Sequence, residues 1–367
     1  MSATRKWFPA LGVALLLLTA CAAEESVEGA DEPAATSEEE ADESPVEESD
    51  EAAGEEADDG DSAVVDEPFT LRVGVEWLAN LANMNRAYEQ GYFADEGLEI
   101  ELVEGAPTSA GAVPLLLGDQ LDLAQTASGG IFAAEAEGIP LTLVSNIAKT
   151  VPRPEGGQLA IVAGEDSGIE TLEDLEGRTL AVHQVLSSME ISWRSAMDAA
   201  GIDHESVEVL AVPFPNMPQA LADGTVDAVL SVVPFTGMAL SGGGRLVEFI
   251  DLLLMEEVYG VDNYAQVFFF ATREFAQDHG EELERFRRAL QRASEELNED
   301  EELARQTIVD ITPMPPEAVA RIPLPLWDGM NPADDPDALR ALEVQNEENA
   351  RYGLYDEPVD VDAVLLR

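Results

Sequence analysis

The sequence predicts an α/β protein with two similar lobes, and two helix–glycine–strand segments support this prediction. The clearer segment is 217–235, MPQALADGTVDAVLSVVPF. Its short helical stretch is followed by Gly224, a residue suited to the left-handed conformation that ends many helices. The next run, 226–233, is almost continuously apolar and rich in β-branched residues, as in a parallel strand buried on both faces. A looser copy at 115–128 has Gly118 in the same place, although ordinary α/β punctuation can produce this pattern.

The charge and the cysteine content exclude several classes of function. The chain has 367 residues, with 75 Asp and Glu against 19 Lys and Arg, and a formal net charge of −56. A protein of this charge repels phosphate, so we expect no nucleic-acid partner. Cys21 is the only cysteine in the sequence. An intramolecular disulfide, a four-cysteine metal site and a cysteine nucleophile in the body are therefore excluded.

Residues 1–21 resemble the signal peptide of a bacterial lipoprotein. Arg5 and Lys6 precede an apolar stretch, 7–18, that is too short to span a membrane as a helix. The peptide ends in Leu-Thr-Ala-Cys, which is similar to a lipobox. The resemblance implies cleavage before Cys21 and lipidation of its thiol, and two or more acyl chains give stable membrane attachment. The alternative is an ordinary secretory signal with a chance cysteine.

The composition of residues 22–67 predicts a disordered acidic linker. The segment contains 21 acidic residues and no Lys or Arg. It can bury too little apolar surface to offset the entropy lost on ordering, and its like charges keep it extended. We interpret it as a spacer between the membrane anchor and the folded body rather than as a calcium site.

Stretches spread over residues 69–365 together resemble one family. They are GYFADEGLEIELV (91–103), the segment 115–124, EGIPLTLV (137–144), LAIVAGEDSGIETLEDLEGRTLAV (159–182), DAAGIDHESVEVLAV (198–212), the segment 217–235 and YGLYDEPVDVDAVL (352–365). In this order they resemble the nitrate/sulfonate/taurine-type and thiamine-pyrimidine-type solute-binding proteins of ABC importers. The resemblance implies a periplasmic-binding-protein fold of type II, with two α/β lobes, a hinge of two crossing segments, and the ligand held between the lobes.

Two features depart from the pattern of this family. Gly118 and Asp122 are four positions apart, where family members usually have three. A Trp-Glu-Pro that is typical of the family is replaced by Val233-Pro234-Phe235. Both features are expected at ligand-facing edges, so both bear on the class of ligand.

The resemblance also implies domain boundaries. The first lobe is expected to contain residues 68–157 and 268–367, and the second lobe residues 158–267. The two crossings are expected near 157–163 and 264–271. Further elements predicted from the sequence are strands at 69–75, 99–103, 179–182 and 207–212, an amphipathic helix at 281–297 and a closing helix at 337–351.

In the second lobe, the strongest binding candidate is the stretch 183–190, which leads from a predicted strand into a helix. N–H groups at such a helix start suit a carboxylate, sulfonate or nitrate oxygen. Ser187 and Glu190 also fit the S-x-x-E capping box, which needs no ligand, while Ser188 can reach the crevice. The ligand-binding residues predicted in this lobe are His183, Ser187, Ser188, Met189, Asn216 and Phe235. His183 can instead be an ordinary strand-end histidine, and Asn216 can simply cap the next helix.

In the first lobe, the candidates follow two strands that are expected to end at the same crevice. The predicted ligand-binding residues are Glu76, Trp77, Asn80, Gln125, Thr126 and Ser128. Trp77 offers a flat surface for an apolar part of the ligand, and Glu76 accepts from a nitrogen donor. Trp77 can equally be a core aromatic.

The positive charges near the crevice are few. A small inorganic anion would need an arginine or a nest of N–H groups, and only Arg86, Arg153 and Arg194 are placed near a crevice edge. Arg194 can pair with Glu190, four residues before it. These features favour an organic ligand with a nitrogen donor over nitrate.

We therefore expect a lipid-anchored solute-binding protein on the outer face of the cell membrane or in the periplasm. It captures a small organic molecule and delivers it to an ABC permease and its ATPase. We expect a monomer that is not an enzyme and has no cofactor. We also expect no metal, because the three histidines lack the spacing of metal ligands. Two alternatives stay open: a ligand-sensing lipoprotein, and an enzyme on the same fold, such as a pyrimidine-forming synthase.

Overall fold

Two groups of strands frame the protein: a two-stranded and a four-stranded sheet, joined by a single bridge, and a separate five-stranded sheet. The computed structural model describes residues 68–367 except 107, 109–110 and 154–155, so the predicted signal peptide and linker lie outside the described residues. The described residues form strands β1 (Phe69–Val75), β2 (Leu98–Glu104), β3 (Ala124–Ala127), β4 (Leu141–Thr150), β5 (Leu159–Ala163), β6 (Thr179–Val182), β7 (Glu208–Ala211), β8 (Ala228–Val232), β9 (Arg245–Phe249), β10 (Tyr264–Thr272) and β11 (Leu326–Trp327).

Helices cover both faces of the two groups of strands. They are α1 (Ala82–Glu89), α2 (Tyr92–Asp95), α3 (Val113–Leu117), α4 (Ser128–Ala136), α5 (Ser188–Ala199), α6 (Met217–Ala222), α7 (Phe235–Ser241), α8 (Ile250–Leu253), α9 (Arg273–Asp278), α10 (Gly280–Glu299), α11 (Glu301–Ile311), α12 (Pro316–Val319) and α13 (Pro336–Arg351). A π-helix, Leu254–Tyr259, continues α8.

The first lobe is built on the strand order β2–β1–β3–β10–β4–β11. β1 and β2 are parallel, and a parallel bridge from Val73 to Leu123 joins β1 to the segment that enters β3. β10 runs antiparallel to both β3 and β4. The second lobe has the order β7–β6–β8–β5–β9, in which β6 is parallel to β7 and β8, and β5 is antiparallel to β8 and β9.

The two lobes therefore share one topology. Counted along the chain, the order across each lobe is its second, first and third parallel-run strands, then an antiparallel strand that follows a crossing (β10 or β5), then β4 or β9. β11 is an additional edge strand of the first lobe. The two helix–glycine–strand segments became α3–β3 and α6–β8, which hold the third strand of each lobe. The prediction of two similarly built α/β lobes is confirmed.

The longer spacing between Gly118 and Asp122, which departs from the family pattern, belongs to the topology that the two lobes share. Gly224 takes the predicted left-handed conformation (φ +67°), but in the first lobe the left-handed residue is Asp119 (φ 52°) rather than Gly118. Asp119 and Asp122 are then three positions apart, as Gly224 and Asp227 are. The extra residue is absorbed before the strand, at its amino end. The departure therefore lies at the opposite end of β3 from the carboxyl edge at which ligand-binding residues are predicted.

The two aspartates that follow these turns have the same structural task. Asp122 Oδ2 accepts from the backbone N–H of Arg72 on β1 at 2.8 Å, and Asp227 Oδ2 accepts from that of Thr179 on β6 at 2.9 Å. Each carboxylate thus fastens the third strand of its lobe to the first.

Successive side chains of a strand point to opposite faces of the sheet, so each face packs against its own apolar cluster. On β10, Phe269 contributes to the cluster that contains Phe286 of α10, whereas Phe268 and Phe270 contribute to the cluster under α4. The predicted amphipathic helix at 281–297 is confirmed as α10. Its apolar residues at three- and four-residue spacing are all buried: Leu283, Phe286, Leu290, Ala293 and Leu297.

The chain crosses between the lobes twice. It leaves β4 at Thr150 and enters β5 at Leu159, and it returns between Phe249 and Tyr264 through α8 and the π-helix. The ranges expected for the crossings are largely strands, because residues 159–163 pair within the five-stranded sheet and 264–272 within the four-stranded one. β10 begins four residues before the predicted return at 268.

A buried carboxyl joins the two crossing segments. Asp251 has no exposed surface, and its Oδ2 accepts from the backbone N–H of Gln158 at 2.6 Å. A Cβ placed on Gly157 would lie 2.0 Å from Asp251 Oδ1, so glycine is required at that position. Burial disfavours the charged carboxylate and raises the pKa of Asp251 to about 6.

The buried carboxyl predicts a pH-dependent stability. The folded chain keeps a proton on Asp251 up to about pH 6, whereas the unfolded chain releases it near pH 4. The free energy of unfolding therefore falls as pH rises through this window, by up to about 3 kcal/mol. Asp251→Asn removes this loss, so in urea titrations the variant gains on the wild type between pH 4 and pH 8. Asp223→Asn, at an exposed carboxylate, serves as the control. Parallel stability profiles for wild type and Asp251→Asn would contradict the assignment.

Candidate ligand-binding site

The predicted site residues lie at the carboxyl ends of the parallel strands. In the first lobe Glu76, Trp77 and Asn80 follow β1, Gln125 and Thr126 lie in β3, and Ser128 begins α4. In the second lobe His183 and 187–189 follow β6, Asn216 follows β7, and Phe235 begins α7 after β8. These are the edges at which open α/β sheets bind ligands.

The two lobes contact each other at these edges. Val233, directly after β8 of the second lobe, packs against an apolar cluster of the first lobe. A Cβ placed on Gly129 of α4 would lie 1.9 Å from Ser188 Oγ and 2.9 Å from Ser188 Cβ at the start of α5. The amino ends of α4 and α5 therefore face each other across the boundary between the lobes.

The start of α4 has no side-chain cap. Its N-cap residue is Ala127, which makes no side-chain hydrogen bond, and Ser128 Oγ donates to Gln345 Oε1 on α13 instead of capping. The first N–H groups of an α-helix have no partner within the helix. In α4 these donors belong to Ser128, Gly129 and Gly130, and the two glycines carry no side chain to cover them.

One buried amide donor lies in the same region without a partner. Gln125 Nε2 on β3 makes no hydrogen bond to any described residue, and the side chain is only 3% exposed. Asn349 Nδ2 lies 3.2 Å from the Cβ position of Gly129. An unsatisfied buried donor costs about 1–3 kcal/mol. This region therefore has more donors than acceptors, and acceptor oxygens of a ligand can satisfy them.

The start of α5 is capped as the sequence predicts. Ser187 Oγ accepts from the N–H of Glu190 at 3.3 Å, and the buried Glu190 carboxylate accepts from the N–H of Leu186 at 3.2 Å. Arg194 Nε pairs with Glu190 Oε1 at 2.5 Å, as the spacing of four predicts. Ser187, Glu190 and Arg194 thus hold the helix start in place, and Ser188 faces α4.

Three parallel rings line the second lobe at the carboxyl ends of β6, β7 and β8. His183 stacks on Phe214 with centroids 4.3 Å apart and ring planes 5° apart, and Phe214 stacks on Phe235 at 5.6 Å and 7°. His183 and Phe235 are among the predicted ligand-binding residues, whereas Phe214 was placed in a loop beside the crevice but not among those residues. Its position directly after a predicted strand was the available signal. The rings provide a flat surface at the end of the sheet.

Other predicted residues have structural contacts. Trp77 packs against the core of the first lobe, and its indole N–H donates to Glu104 Oε1 at 2.9 Å. Met189 packs against the core of the second lobe. Thr126 Oγ1 donates to the carbonyl of Ala127 at 2.8 Å. Asn216 is exposed and makes no side-chain cap to α6, so the capping alternative for it was wrong.

The remaining arginine candidates contact other groups. Arg86 pairs with Glu296 of α10 at 2.8 Å, and Arg153 Nη2 lies 3.5 Å from the carbonyl of Pro325. Within the described ranges, no set of three or more His, Cys, Asp or Glu side chains is arranged to hold a metal ion. No described helix is long and apolar enough to cross a membrane.

Two cavities lie away from the predicted site residues. One, of about 400 Å³, is at the amino end of the second-lobe strands and is lined by Asp166, Asp223 and Gly243 among others. The other, of about 600 Å³, is on the first lobe beside Gln277 and Arg287. Neither includes a residue that the sequence predicts to bind ligand. The site is therefore defined by facing helix starts and unpartnered donors rather than by cavity size.

The fold and the position of the site define a two-lobed protein of the periplasmic-binding-protein class. Residues 79–304, more than half of the chain, match the family described as NMT1/THI5 like, and the chain belongs to that family. The same fold recurs in the periplasmic aliphatic sulphonate binding protein SsuA of Escherichia coli, with a TM-score of 0.65 at 20% identity over 82% of this chain and 92% of that one.

Three curated proteins are similar to the chain. The formylaminopyrimidine-binding protein of Halalkalibacterium halodurans is 25% identical over 64% of this chain and 68% of its own length. The putative aliphatic sulfonates-binding protein of Bacillus subtilis is 24% identical over 80% and 85%. The 4-amino-5-hydroxymethyl-2-methylpyrimidine phosphate synthase THI13 of Saccharomyces cerevisiae is 23% identical over 62% and 66%.

Replacement of the unpartnered amide of Gln125 on β3 should have opposite effects on stability and on ligand binding. Gln125→Met keeps the length of the side chain but removes the buried donor, so the free energy of unfolding of the ligand-free chain should rise by about 1 kcal/mol. The same change should weaken binding of a ligand that has acceptor oxygens, because one donor is lost. Urea titration and calorimetry measure the two effects.

Gln266→Met is the matched control, because Gln266 Nε2 already donates to the hydroxyl of Tyr264 at 2.8 Å. It should leave the stability unchanged or lower it and should not weaken ligand binding. A Gln125→Met variant that behaved like this control would contradict the view that Gln125 awaits a ligand.

Proposed function

We propose that the protein is an extracytoplasmic solute-binding protein that captures a small organic molecule between its two lobes and delivers it to an ABC permease. The observation that carries this proposal is the excess of buried donors where α4 and α5 face each other. Folding alone does not favour unpaired buried donors, so functional sites are where such costs are expected. The relatives with binding-protein names support the same class.

The chemistry of the site suggests which parts the ligand has. Acceptor oxygens, as in a sulfonate, carboxylate or formamide group, match the N–H groups at the start of α4, which the N-cap residue Ala127 does not cap, and the amide of Gln125. A flat or apolar portion matches the rings of His183, Phe214 and Phe235. An aliphatic sulfonate and a formylaminopyrimidine both combine these two parts, and the chain has one relative named as a binding protein for each of them.

The site also offers acceptor atoms for a nitrogen donor of the ligand. Asn80 Oδ1 and Thr236 Oγ1 are buried and make no hydrogen bond within the described part of the chain. Asn80 follows β1 and Thr236 lies in the first turn of α7, so both are at carboxyl edges. An acceptor of this kind suits an amine or ring N–H, which favours an organic molecule over nitrate.

The proposal is tested by binding. Native mass spectrometry of the chain purified without refolding identifies a carried-over molecule, and calorimetry with butane-1-sulfonate and with a formylaminopyrimidine tests the two classes. Ser188→Ala should weaken the binding of whichever compound binds, by about tenfold for one lost hydrogen bond. Ser241→Ala should not, because Ser241 Oγ donates within its own helix to the carbonyl of Gly237. Equal affinities for the two variants would remove Ser188 from the site.

We propose that Cys21 carries the lipid that holds the protein at the membrane. The lipobox-like end of the apolar stretch and the acidic segment after it support this assignment. In an expressing bacterium, the wild-type chain should label with radioactive palmitate and enter the detergent phase of Triton X-114, whereas Cys21→Ser should do neither. Labelling of the Cys21→Ser variant would show that the anchor is elsewhere.

An enzyme on this fold is a second candidate because one relative is named a synthase. The sequence offers no cysteine after Cys21 as a nucleophile. Mass analysis after incubation separates the candidates. A solute-binding protein returns the bound compound unchanged, and a changed mass would favour the enzyme.

A further inference from the structure

The two lobes approach each other very closely at a residue without a side chain. A Cβ on Gly129 would lie 1.9 Å from Ser188 Oγ, 2.9 Å from Ser188 Cβ and 3.2 Å from Asn349 Nδ2. The two distances to Ser188 are shorter than real Cβ contacts, so one added methyl group must displace something. Gly129 belongs to the first lobe, Ser188 to the second, and Asn349 to α13.

Glycine is not what the local helix needs. Gly129 lies in the first turn of α4, where alanine would be the better helix former. The backbone there is helical and does not require a left-handed residue. Gly280, the first residue of α10, is also helical, but nothing lies within 4 Å of its Cβ position. The space that Gly129 leaves is therefore specific to its juxtaposition with Ser188.

We propose that the missing side chain at Gly129 sets how closely the two lobes approach, with Ser188 as the opposing residue. Of the three close atoms, Ser188 Oγ can rotate away and the amide of Asn349 is the end of a side chain. Ser188 Cβ moves only with the backbone of α5. That backbone is fixed by the cap at Ser187 and by the bonds of Glu190 to Leu186 and Arg194.

A methyl group at 129 therefore acts as a wedge between α4 and α5. The closed arrangement becomes less populated, and the apparent affinity of any ligand that binds the closed form falls with that population. This consequence for affinity rests on the proposed function. The effect on the distance between the lobes does not.

The test is a series of variants measured by the distance between two spin labels. Cys21→Ser leaves no cysteine in the chain, and Gln90→Cys and Glu205→Cys place one label on each lobe at exposed positions. Gly129→Ala is made with Ser188, with Ser188→Ala and with Ser188→Gly. Gly280→Ala is the control. Distances are measured for the full chain alone, with butane-1-sulfonate and with a formylaminopyrimidine.

We expect a graded result. Gly129→Ala should lower the population at the short distance by about tenfold when Ser188 is present, less with Ser188→Ala, and least with Ser188→Gly. Each Gly129→Ala chain is compared with the Gly129 chain that has the same residue at 188. Any hydrogen bond from Ser188 to the ligand is then present in both chains or absent from both, so it does not affect the comparison. Gly280→Ala should leave the distances as in the wild type.

Two results overturn the inference, and a third separates it from the proposed function. If Gly129→Ala has no effect, or the same effect in all three backgrounds, Ser188 is not the opposing residue. If the wild-type chain never shows the short distance, the lobes do not adopt this approach in solution. If neither compound changes the distances but the graded effect is present in the free chain, the inference stands and the proposed ligand classes fail.

Discussion

Helix α13 holds the two lobes in one arrangement, and much of the structure depends on how it is fixed. Its N-cap residue Asp335 accepts from the backbone N–H groups of Asp337 and Ala338, and its carboxylate pairs with Lys149 of β4 at 2.5 Å. Lys149 also pairs with Asp328 at 2.8 Å, and these charges raise the pKa of Lys149 despite its burial. A buried lysine retains its charge only with such partners, so neither carboxylate can be lost without cost.

Side chains of α13 then reach both lobes. Leu342 belongs to the apolar cluster under α4, and Ala341 and Val344 belong to the cluster of the second lobe. Glu348 accepts from Ser195 Oγ of α5 at 2.5 Å. The sequence predicted a closing helix of the first lobe, but its polar and apolar contacts join the lobes. The juxtaposition of α4, α5 and α13 follows from this helix, and the donors of the candidate site meet at the same junction.

The frame was more predictable from the sequence than the site. The apolar run 226–233 predicts a strand, and the regular apolar spacing at 281–297 predicts α10, because burial determines which positions of an element are apolar. The left-handed Asp119 carried no such signal, since aspartate only tolerates that conformation. The stacking of Phe214 between two other rings depends on three strands that are distant in sequence. Sequence reasoning placed the candidate residues at the ends of strands, but it could not tell that Trp77 packs on the core whereas Ser188 lies against Gly129 of the other lobe.

The repeated topology explains why the frame and the site differ in this way. The aspartates that follow the two turns, Asp122 and Asp227, do the same work in both lobes, because both fasten a third strand to a first strand. At the opposite ends of those third strands the lobes diverge, with an uncapped glycine-rich helix start after β3 and Val233-Pro234-Phe235 after β8. A change at the amino end of the strands, such as the longer spacing at Gly118, is absorbed by the frame. A change at the carboxyl end alters a ring that stacks beside the site and a residue, Val233, that packs against the other lobe. Of the two departures from the family pattern, only the one at 233–235 therefore lies at the end of the sheet where ligand-binding residues are predicted.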